Sequence, residues 1–214
     1  GDITTVGGIG ANGAGAAGNF GATTINSGDI TVNSTYFYTL KKSYYGTYDY
    51  LGGWANGVAA TSRFGGVATV VNSGNVEVDA MTEGKGLIAN TRYGNANISN
   101  YGDVTVSGQY VSAYGIYMQA TSYDQARSGT LEGSFVISTG DVTVTSEALA
   151  VAIQAGQAFD DLLVYNSGNV SASIVNNDGY GSAFGVVARN TYGDVDVINL
   201  GDITVASGGQ AAGI

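Results

Sequence analysis

The chain has 214 residues, with 35 Gly and 15 Tyr but no Pro, Cys or His. Its hydrophobic content of 44% can form a packed core, while the lack of Cys and His excludes disulfides, thiolate nucleophiles, cysteine zinc sites and imidazole chemistry. A formal net charge of −10 opposes nucleic acid binding, and no apolar run approaches the roughly 18 residues of a membrane span. We therefore expect neither a nucleic acid partner nor a membrane-spanning segment.

A turn followed by alternating β-branched residues recurs along the whole chain. Its fullest form is Asn-Ser-Gly-Asp-Ile-Thr-Val, and a truncated copy opens the chain at 1–4. The Asn and Gly of each copy favour a turn, and the alternation that follows predicts a short strand. The further copies lie at 26–32, 72–78, 100–106, 138–144, 166–170 and 199–205.

A second motif follows each turn, typically Ala-x-Gly followed by Val or Ile. Its copies are assigned to 11–13, 55–58, 85–87, 113–116, 148–151, 183–186 and 211–214. A third alternating stretch, clearest at 194–197, leads into the next Asn-x-Gly turn. Each period therefore predicts three short strands separated by three bends.

The spacing of the turn glycines predicts the architecture. Successive copies are 27, 46, 28, 38, 28 and 33 residues apart, which indicates a unit of about 28 residues with insertions at 33–54, 121–132 and 174–182. Three strands in such a unit form one triangular coil that stacks on the next. We expect an all-β fold, a right-handed parallel β-helix of about seven coils that makes residues 1–214 a single solenoid.

Alternation assigns one side of each strand to the core. After the Asn-x-Gly turn, the predicted inward residues are Ile30, Val32, Val76, Val78, Val104, Val106, Val142, Val144, Ile203 and Val205. On the second strand they are Val58, Ala60, Leu87, Ala89, Ile116, Met118, Val151, Ile153, Val186 and Ala188. On the third strand they are Thr24, Val70, Ile98, Val164 and Val197.

Stacked coils place like residues above like, so each motif position becomes a column. The turn asparagines are predicted to form an inward ladder that satisfies buried turn groups. Its members are Asn26, Asn72, Asn100, Asn166 and Asn199, with Ser138 as the exception.

An outward acidic column runs beside this ladder, with Asp29, Asp103, Asp141 and Asp202 as its candidate metal ligands. Stacked carboxylates repel one another, so donors must relieve them. Water and salt are one source of relief, backbone N–H groups after the turn are a second, and Ca²⁺ bound between coils is a third. Ca²⁺ is the one cofactor that we keep as an alternative.

The second strand carries an unexpected outward column of small or apolar residues. It is assigned as Gly15, Ala59, Ile88, Tyr117, Ala152 and Val187. An exposed strand face normally carries polar groups, so this column predicts a covered face. Ile88, Tyr117 and Val187 are the predicted packing residues, and the cover is either an insertion of the same chain or a neighbouring solenoid.

The longest insertion is rich in aromatic residues, which combine a large contact area with a polar tip. It is the best sequence candidate for a binding element, toward another protein chain or a surface glycan. The alternative is a loop that shields the apolar column. The candidate residues are Tyr36, Phe37, Tyr38, Tyr44, Tyr45, Tyr48, Tyr50 and Trp54.

The repeated Asn-x-Gly-Asp-Val-Thr-Val, followed by Ala-x-Gly-Ile/Val-x-Ala, resembles the passenger domains of autotransporter outer-membrane proteins of Gram-negative bacteria, the pertactin-like β-helical adhesins. That resemblance implies display at the bacterial cell surface and a structural or adhesive role, and it supplies no active site. The chain starts at a turn and stops within a coil, so we expect a segment of a larger surface or filament-forming protein.

The remaining alternative is a β-helix that binds or processes polysaccharide. Asp160 and Asp161 form the one adjacent acidic pair, at a coil corner, and no basic partner is evident beside them in the repeat pattern. We therefore expect no enzyme activity and assign no catalytic residue.

Overall fold

The computed structural model describes residues 1–35, 53–121, 133–175 and 180–214. These residues form twenty β-strands and no helix. The strands belong to three parallel sheets of seven, seven and six strands, and the chain passes through each sheet once per coil. The predicted parallel β-helix with three strands per coil is confirmed.

Sheet A contains the strand that follows each Asn-x-Gly turn. Its members are β1 (Ile3–Gly7), β4 (Ile30–Ser34), β7 (Val76–Ala80), β10 (Val104–Gly108), β13 (Val142–Ser146), β16 (Val170–Ile174) and β19 (Ile203–Ala206).

Sheet B contains the longer strand of the second motif. Its members are β2 (Gly10–Gly18), β5 (Trp54–Ser62), β8 (Glu83–Thr91), β11 (Ser112–Ala120), β14 (Leu149–Gln157), β17 (Ser182–Asn190) and β20 (Gln210–Ala212).

Sheet C leads into the next turn. Its members are β3 (Ala22–Asn26), β6 (Ala68–Asn72), β9 (Ala96–Asn100), β12 (Ser134–Ser138), β15 (Leu162–Asn166) and β18 (Val195–Asn199). The strands reach into the edges of the predicted insertions, since β4 includes Ser34, β5 begins at Trp54, β16 ends at Ile174 and β17 begins at Ser182. The interiors of those insertions lie outside the described residues.

The core is a set of apolar columns between the three sheets. Val104 pairs with Val76 on one side and with Val142 on the other, and all three are buried. Ile98 of sheet C lies between Val70 and Val136 in the same way. In-register stacking therefore repeats the same apolar contact in successive coils, as the alternation predicts. Val136 belongs to this core although the sequence analysis did not assign it.

The second-motif glycines are required by a close approach between sheets A and B. A Cβ atom on Gly57 would lie 2.5 Å from the carbonyl oxygen of Gly86 and would overlap the side chain of Val76. The alternation of sheet B is broken here, because both Gly57 and its neighbour Val58 face inward. Glycine thus lets the strand bend around the β-branched column of sheet A.

The fifth copy of this motif was assigned two residues too early. Ile153 pairs with Ile116, so Ala152 takes the glycine position and Ile153 is the inward residue after it. Val151 is 3% exposed, but it pairs with Tyr114 in an outer row and is not part of the core between the sheets, so its predicted inward orientation was wrong. The break of alternation explains why residues two apart face opposite sides.

The outward column of sheet B changes with that shift. Gln154, and not Ala152, pairs with Tyr117 on one side and Val187 on the other. Ala152 is larger than the glycine that most other coils have at its position. In the next strand of sheet A, Ala172 is smaller than the valine that most other coils have there. This exchange helps the coil keep its register without glycine.

Among the described residues, no helix is long and apolar enough to cross a membrane.

Candidate functional site

The turn asparagines form a continuous hydrogen-bonded ladder through the first three full coils. Asn26 Nδ2 donates to Asn72 Oδ1 at 2.8 Å, and Asn72 Nδ2 donates to Asn100 Oδ1 at 2.8 Å. Each Nδ2 also donates to the glycine carbonyl two residues later, at 2.7 Å from Asn72 to Gly74. Every side chain therefore closes its own turn and joins its coil to the next.

The ladder is interrupted at Ser138. Its hydroxyl lies 3.1 Å from Asn100 Nδ2, from which it accepts a hydrogen bond, and it donates to the carbonyl of Gly140 at 3.3 Å. The next rung, Asn166, donates to Asn199 at 2.8 Å, but its own Oδ1 is buried without a hydrogen-bond partner. The serine side chain is too short to reach both neighbouring asparagines. Asn166 Oδ1 therefore receives no hydrogen bond.

The turn glycines stack directly on one another. A Cβ atom on Gly102 would overlap the carbonyl group of Gly74 in the preceding coil, and one on Gly140 would overlap that of Gly102. None of these glycines has a positive φ. They are needed because backbone approaches backbone, whereas sequence analysis had explained them by turn conformation.

The acidic column is a second ladder, from side chain to backbone. Asp29 Oδ1 accepts the N–H of Asn75 at 2.8 Å, Asp103 Oδ1 accepts that of Asp141 at 2.9 Å, and Asp141 Oδ1 accepts that of Asn169 at 2.7 Å. Asp202 continues the column by donating its N–H to Asn169 Oδ1 at 3.2 Å.

This geometry favours the backbone explanation of the column over the metal explanation. Three of the four candidate ligands, Asp29, Asp103 and Asp141, already use one carboxylate oxygen to accept the N–H of the next coil. Within the described ranges, no group of three or more acidic side chains could surround an ion. Ca²⁺ stays a prediction that a titration can test.

In the adjacent acidic pair, the carboxylate of Asp161 has the same capping role at another corner. Asp161 Oδ1 accepts the N–H of Asp194 at 3.1 Å. Asp160 has a φ of 63°, and its carbonyl oxygen accepts a hydrogen bond from Asn190 Nδ2 at 2.5 Å. Both residues thus help to shape the corner between sheets B and C.

Of the aromatic candidates in the long insertion, Trp54 is the one that the structure describes. It begins β5, is 39% exposed, and its indole lies against Gly10 of the preceding coil. The absence of a side chain on Gly10 makes room for this ring. The other candidates, which are Tyr36, Phe37, Tyr38, Tyr44, Tyr45, Tyr48 and Tyr50, lie outside the described residues.

The outer face of sheet B is aromatic and charged as well as apolar. Lys85 Nζ lies 5.0 Å from the ring centroid of Tyr117 and forms a salt bridge with Glu83. Tyr114 packs edge-on against Tyr117, with 5.3 Å between the ring centroids. Ile88, a predicted packing residue, is only 5% exposed. The chain's own side chains therefore cover part of this face.

The environment of the two tyrosines disfavours ionisation. Burial raises the pKa of Tyr114, and the nearby Glu83 carboxylate raises it further. Burial likewise raises the pKa of Tyr117, with smaller contributions from Tyr114 and Glu83. The neutral phenol of Tyr117 donates to Gln119 Oε1 at 2.7 Å. Both rings therefore remain neutral over a wider pH range than exposed tyrosines.

The outer face of sheet C is more apolar, and sequence analysis did not single it out. The residue before each ladder position points outward there, and in four of the six strands it is Val or Ile. These positions are Ile25, Val71, Ser99, Ile137, Tyr165 and Ile198. Phe135 and Leu163 pair beside them in adjacent strands. The sequence signal for this face is the Val or Ile that precedes four of the six ladder positions.

Comparison of the chain with protein-family models, with curated proteins and with solved structures returns no match. The resemblance to autotransporter passengers therefore stays a prediction from the motifs.

Proposed function

We propose that this chain is a rigid structural segment of a larger cell-surface or filament-forming protein, and that it packs side by side with other chains through the outer face of sheet C. The apolar rows on that face carry the proposal. The repeat motifs, which resemble bacterial surface adhesins, support an extracellular location.

The three outer faces differ in a way that favours sheet C as the packing surface. Sheet A presents Thr31, Glu77, Thr105 and Thr143, which are exposed and polar. Sheet B presents a lysine, two tyrosines and an ion pair. Sheet C presents Ile137 and Tyr165 paired in adjacent strands, next to Phe135 and Leu163. Asn97 and Ser99 of β9 border this apolar patch on one side, and Asp196 pairs with Leu163 on the other, so the patch is centred on β12 and β15. An exposed apolar patch is typical of protein contacts.

A rigid shaft also needs coils that cannot slide past one another. A one-residue shift would turn the apolar columns outward and break both corner ladders. The pairing of Asn72 with Asn26 and Asn100 therefore holds each coil in one register. The backbone repeats at about 4.8 Å per coil, so the coils of a second copy can lie in step with those of the first.

The test is to place one charge on the packing face. Ile137→Lys lies in the centre of the sheet C strip, and we expect it to abolish lateral assembly because burying an unpaired ammonium is costly. Sedimentation velocity over a concentration series and electron microscopy of the assemblies measure the effect.

The matched control is Thr143→Lys, which adds the same charge to the exposed face of sheet A. It should leave assembly unchanged. A wild-type chain that stays monomeric at every concentration, or an Ile137→Lys chain that assembles like the wild type, would refute the proposed packing face.

A further inference from the structure

The basic side chains in the described part of the chain are gathered on one side of the solenoid. Lys85 and Arg189 lie in outer rows of sheet B, and Arg63 and Arg92 directly follow β5 and β8. The acidic column lies at a different corner, before sheet A. Where sheet B turns into sheet C, the coils of Arg63 and Arg92 are therefore locally cationic, whereas later coils carry Asp160, Asp161 and Asp194 at the same corner.

Arg63 and Arg92 stack in neighbouring coils. Thr91 pairs with Ser62, and the N–H of Arg92 continues that ladder by donating to the carbonyl of Ser62 at 3.2 Å. The two arginines are exposed. The salt bridge found among the described residues joins Lys85 and Glu83 and involves neither arginine. The backbones that carry them are about 4.8 Å apart, and the Arg92 guanidinium lies 5.5 Å from the ring centroid of Tyr93. Two positive charges on neighbouring coils repel each other, and an anion bound between them relieves that repulsion.

A groove of about 370 Å³ lies at these arginines, and we call it the arginine groove. Besides Arg63 and Arg92 its lining includes Asn90, Gln119, Thr121 and Phe64. Asn90 Oδ1 is buried without a hydrogen-bond partner in the described structure. The groove thus combines fixed positive charge, amides, a hydroxyl and an aromatic ring, which together suit a ligand with both carboxylate and hydroxyl groups.

The arginine groove continues in both directions along the solenoid. Arg63 also lines a depression of about 270 Å³ with Asn19, and Gln119 and Thr121 also line one of about 680 Å³ that contains Arg189. Because the coils repeat at about 4.8 Å, which is close to the length of one pyranose unit, neighbouring units of a linear polymer along the axis can contact Arg63 and Arg92.

We propose that the arginine groove binds a polysaccharide that carries carboxylate groups, with the polymer running parallel to the solenoid axis. Arg63 and Arg92 bind its carboxylates, and Asn90, Gln119 and Thr121 bind its hydroxyl groups. This site is on a different corner from the packing face of sheet C, and it does not depend on the proposed lateral assembly.

Calorimetric titration of the full chain with an oligogalacturonate tests the proposal. We expect binding that weakens as salt is raised, and no binding of the methyl-esterified oligomer, because esterification removes the charge and keeps the sugar backbone. The double variant Arg63→Gln/Arg92→Gln should bind about tenfold more weakly or worse, since two charge-assisted contacts are lost.

Lys85→Gln is the matched control, because it removes one positive charge from the same face at a residue outside the arginine groove. Its affinity should stay within about twofold of the wild type, as expected for a half-buried lysine that is already ion-paired with Glu83. Far-UV circular dichroism and thermal melting of all variants check that the exposed arginines are not needed for folding.

Three results would overturn the proposal. The first is a wild-type chain that does not bind the oligogalacturonate. The second is a loss of affinity in Lys85→Gln as large as that in the double arginine variant, which would indicate binding by overall charge. The third is equal binding of polyglutamate, which would identify an acidic peptide site.

Discussion

The carboxamide oxygen of Asn166 is buried beside Ser138 of the adjacent coil and receives no hydrogen bond. In the preceding coils the same oxygen of Asn72 and Asn100 accepts from the asparagine before it. The chain therefore contains one broken rung in an otherwise regular ladder, and that rung can be repaired by a single substitution.

Ser138→Asn should raise the free energy of unfolding by about 1 kcal/mol, since it adds a hydrogen bond to a buried acceptor. The new carboxamide can accept from Asn100, close its own turn at Gly140 and donate to Asn166, as Asn72 does in its coil. Equilibrium denaturation with urea measures the change.

Asn100→Ser is the reciprocal control for the ladder, because it adds a second break. It should lower the free energy of unfolding by about 1–3 kcal/mol, the cost of leaving a buried group unpaired. If both substitutions changed stability in the same direction, the ladder would not be the source of the effect.

Gly102→Ala should destabilise the chain by about 1–3 kcal/mol, because its methyl group would overlap the backbone carbonyl of Gly74, which cannot rotate away. Gly156→Ala is the comparison, since its Cβ would have Met118 O as its nearest contact at 3.9 Å. That variant should stay within about 0.5 kcal/mol of the wild type. Thermal and urea unfolding of the pair distinguish stacking from general loss of glycine flexibility.

Asp103→Ala should cost about 1 kcal/mol, because the N–H of Asp141 loses its acceptor. Asp103→Asn keeps a carbonyl oxygen at that place, so it should leave the free energy of unfolding nearly unchanged. Asn75 and Asn169 of the same column already accept the N–H of the next coil with their side-chain oxygens. Melting temperatures measured with millimolar Ca²⁺ and with a chelator complete the test. A Ca²⁺-dependent rise that Asp103→Asn removes would favour the metal explanation instead.

Alkaline pH should weaken the fold through Tyr114 and Tyr117, whose pKa values are raised above the ordinary value of about 10. Their contribution to stability is complete below pH 10 and is lost as the pH rises through the higher pKa of the folded state, because the unfolded chain releases those protons first. Urea denaturation at a series of pH values measures this loss.

The variant Tyr114→Phe/Tyr117→Phe should show a shallower decline above about pH 10, since it removes both titrating phenols. Tyrosinate absorbance of the folded protein should show two groups fewer titrating at high pH. An unchanged decline of stability in this variant would assign the effect to other tyrosines.

Sequence reasoning was most successful where one pattern repeats in every coil. The spacing of the Asn-x-Gly turns and the alternation after them predicted the three sheets, and they predicted the inward positions of Val104, Val142 and Ile98. These features are local in sequence, and stacking multiplies them into columns.

The errors arose where a single coil departs from the pattern. Ala152 replaces the glycine of the second motif, so the motif was matched two residues early and Val151 was placed in the core. The compensating Ala172 lies in another sheet, and its relation to Ala152 is visible only after the coils are stacked. The apolar patch of sheet C forms by pairing of outward residues from different coils, as Ile137 with Tyr165 and Phe135 with Leu163, and this pairing is visible only after the coils are stacked.

The hydrogen bonds between ladder asparagines each join one coil to its immediate neighbour, as between Asn26 and Asn72 or Asn166 and Asn199. A coil that has already folded therefore presents all the partners that the following coil needs. Such a chain can acquire its structure progressively from one end, without waiting for distant segments to arrive. A protein that emerges through a narrow opening as an extended chain could complete each turn of the spiral on the far side, and the finished part would resist sliding back.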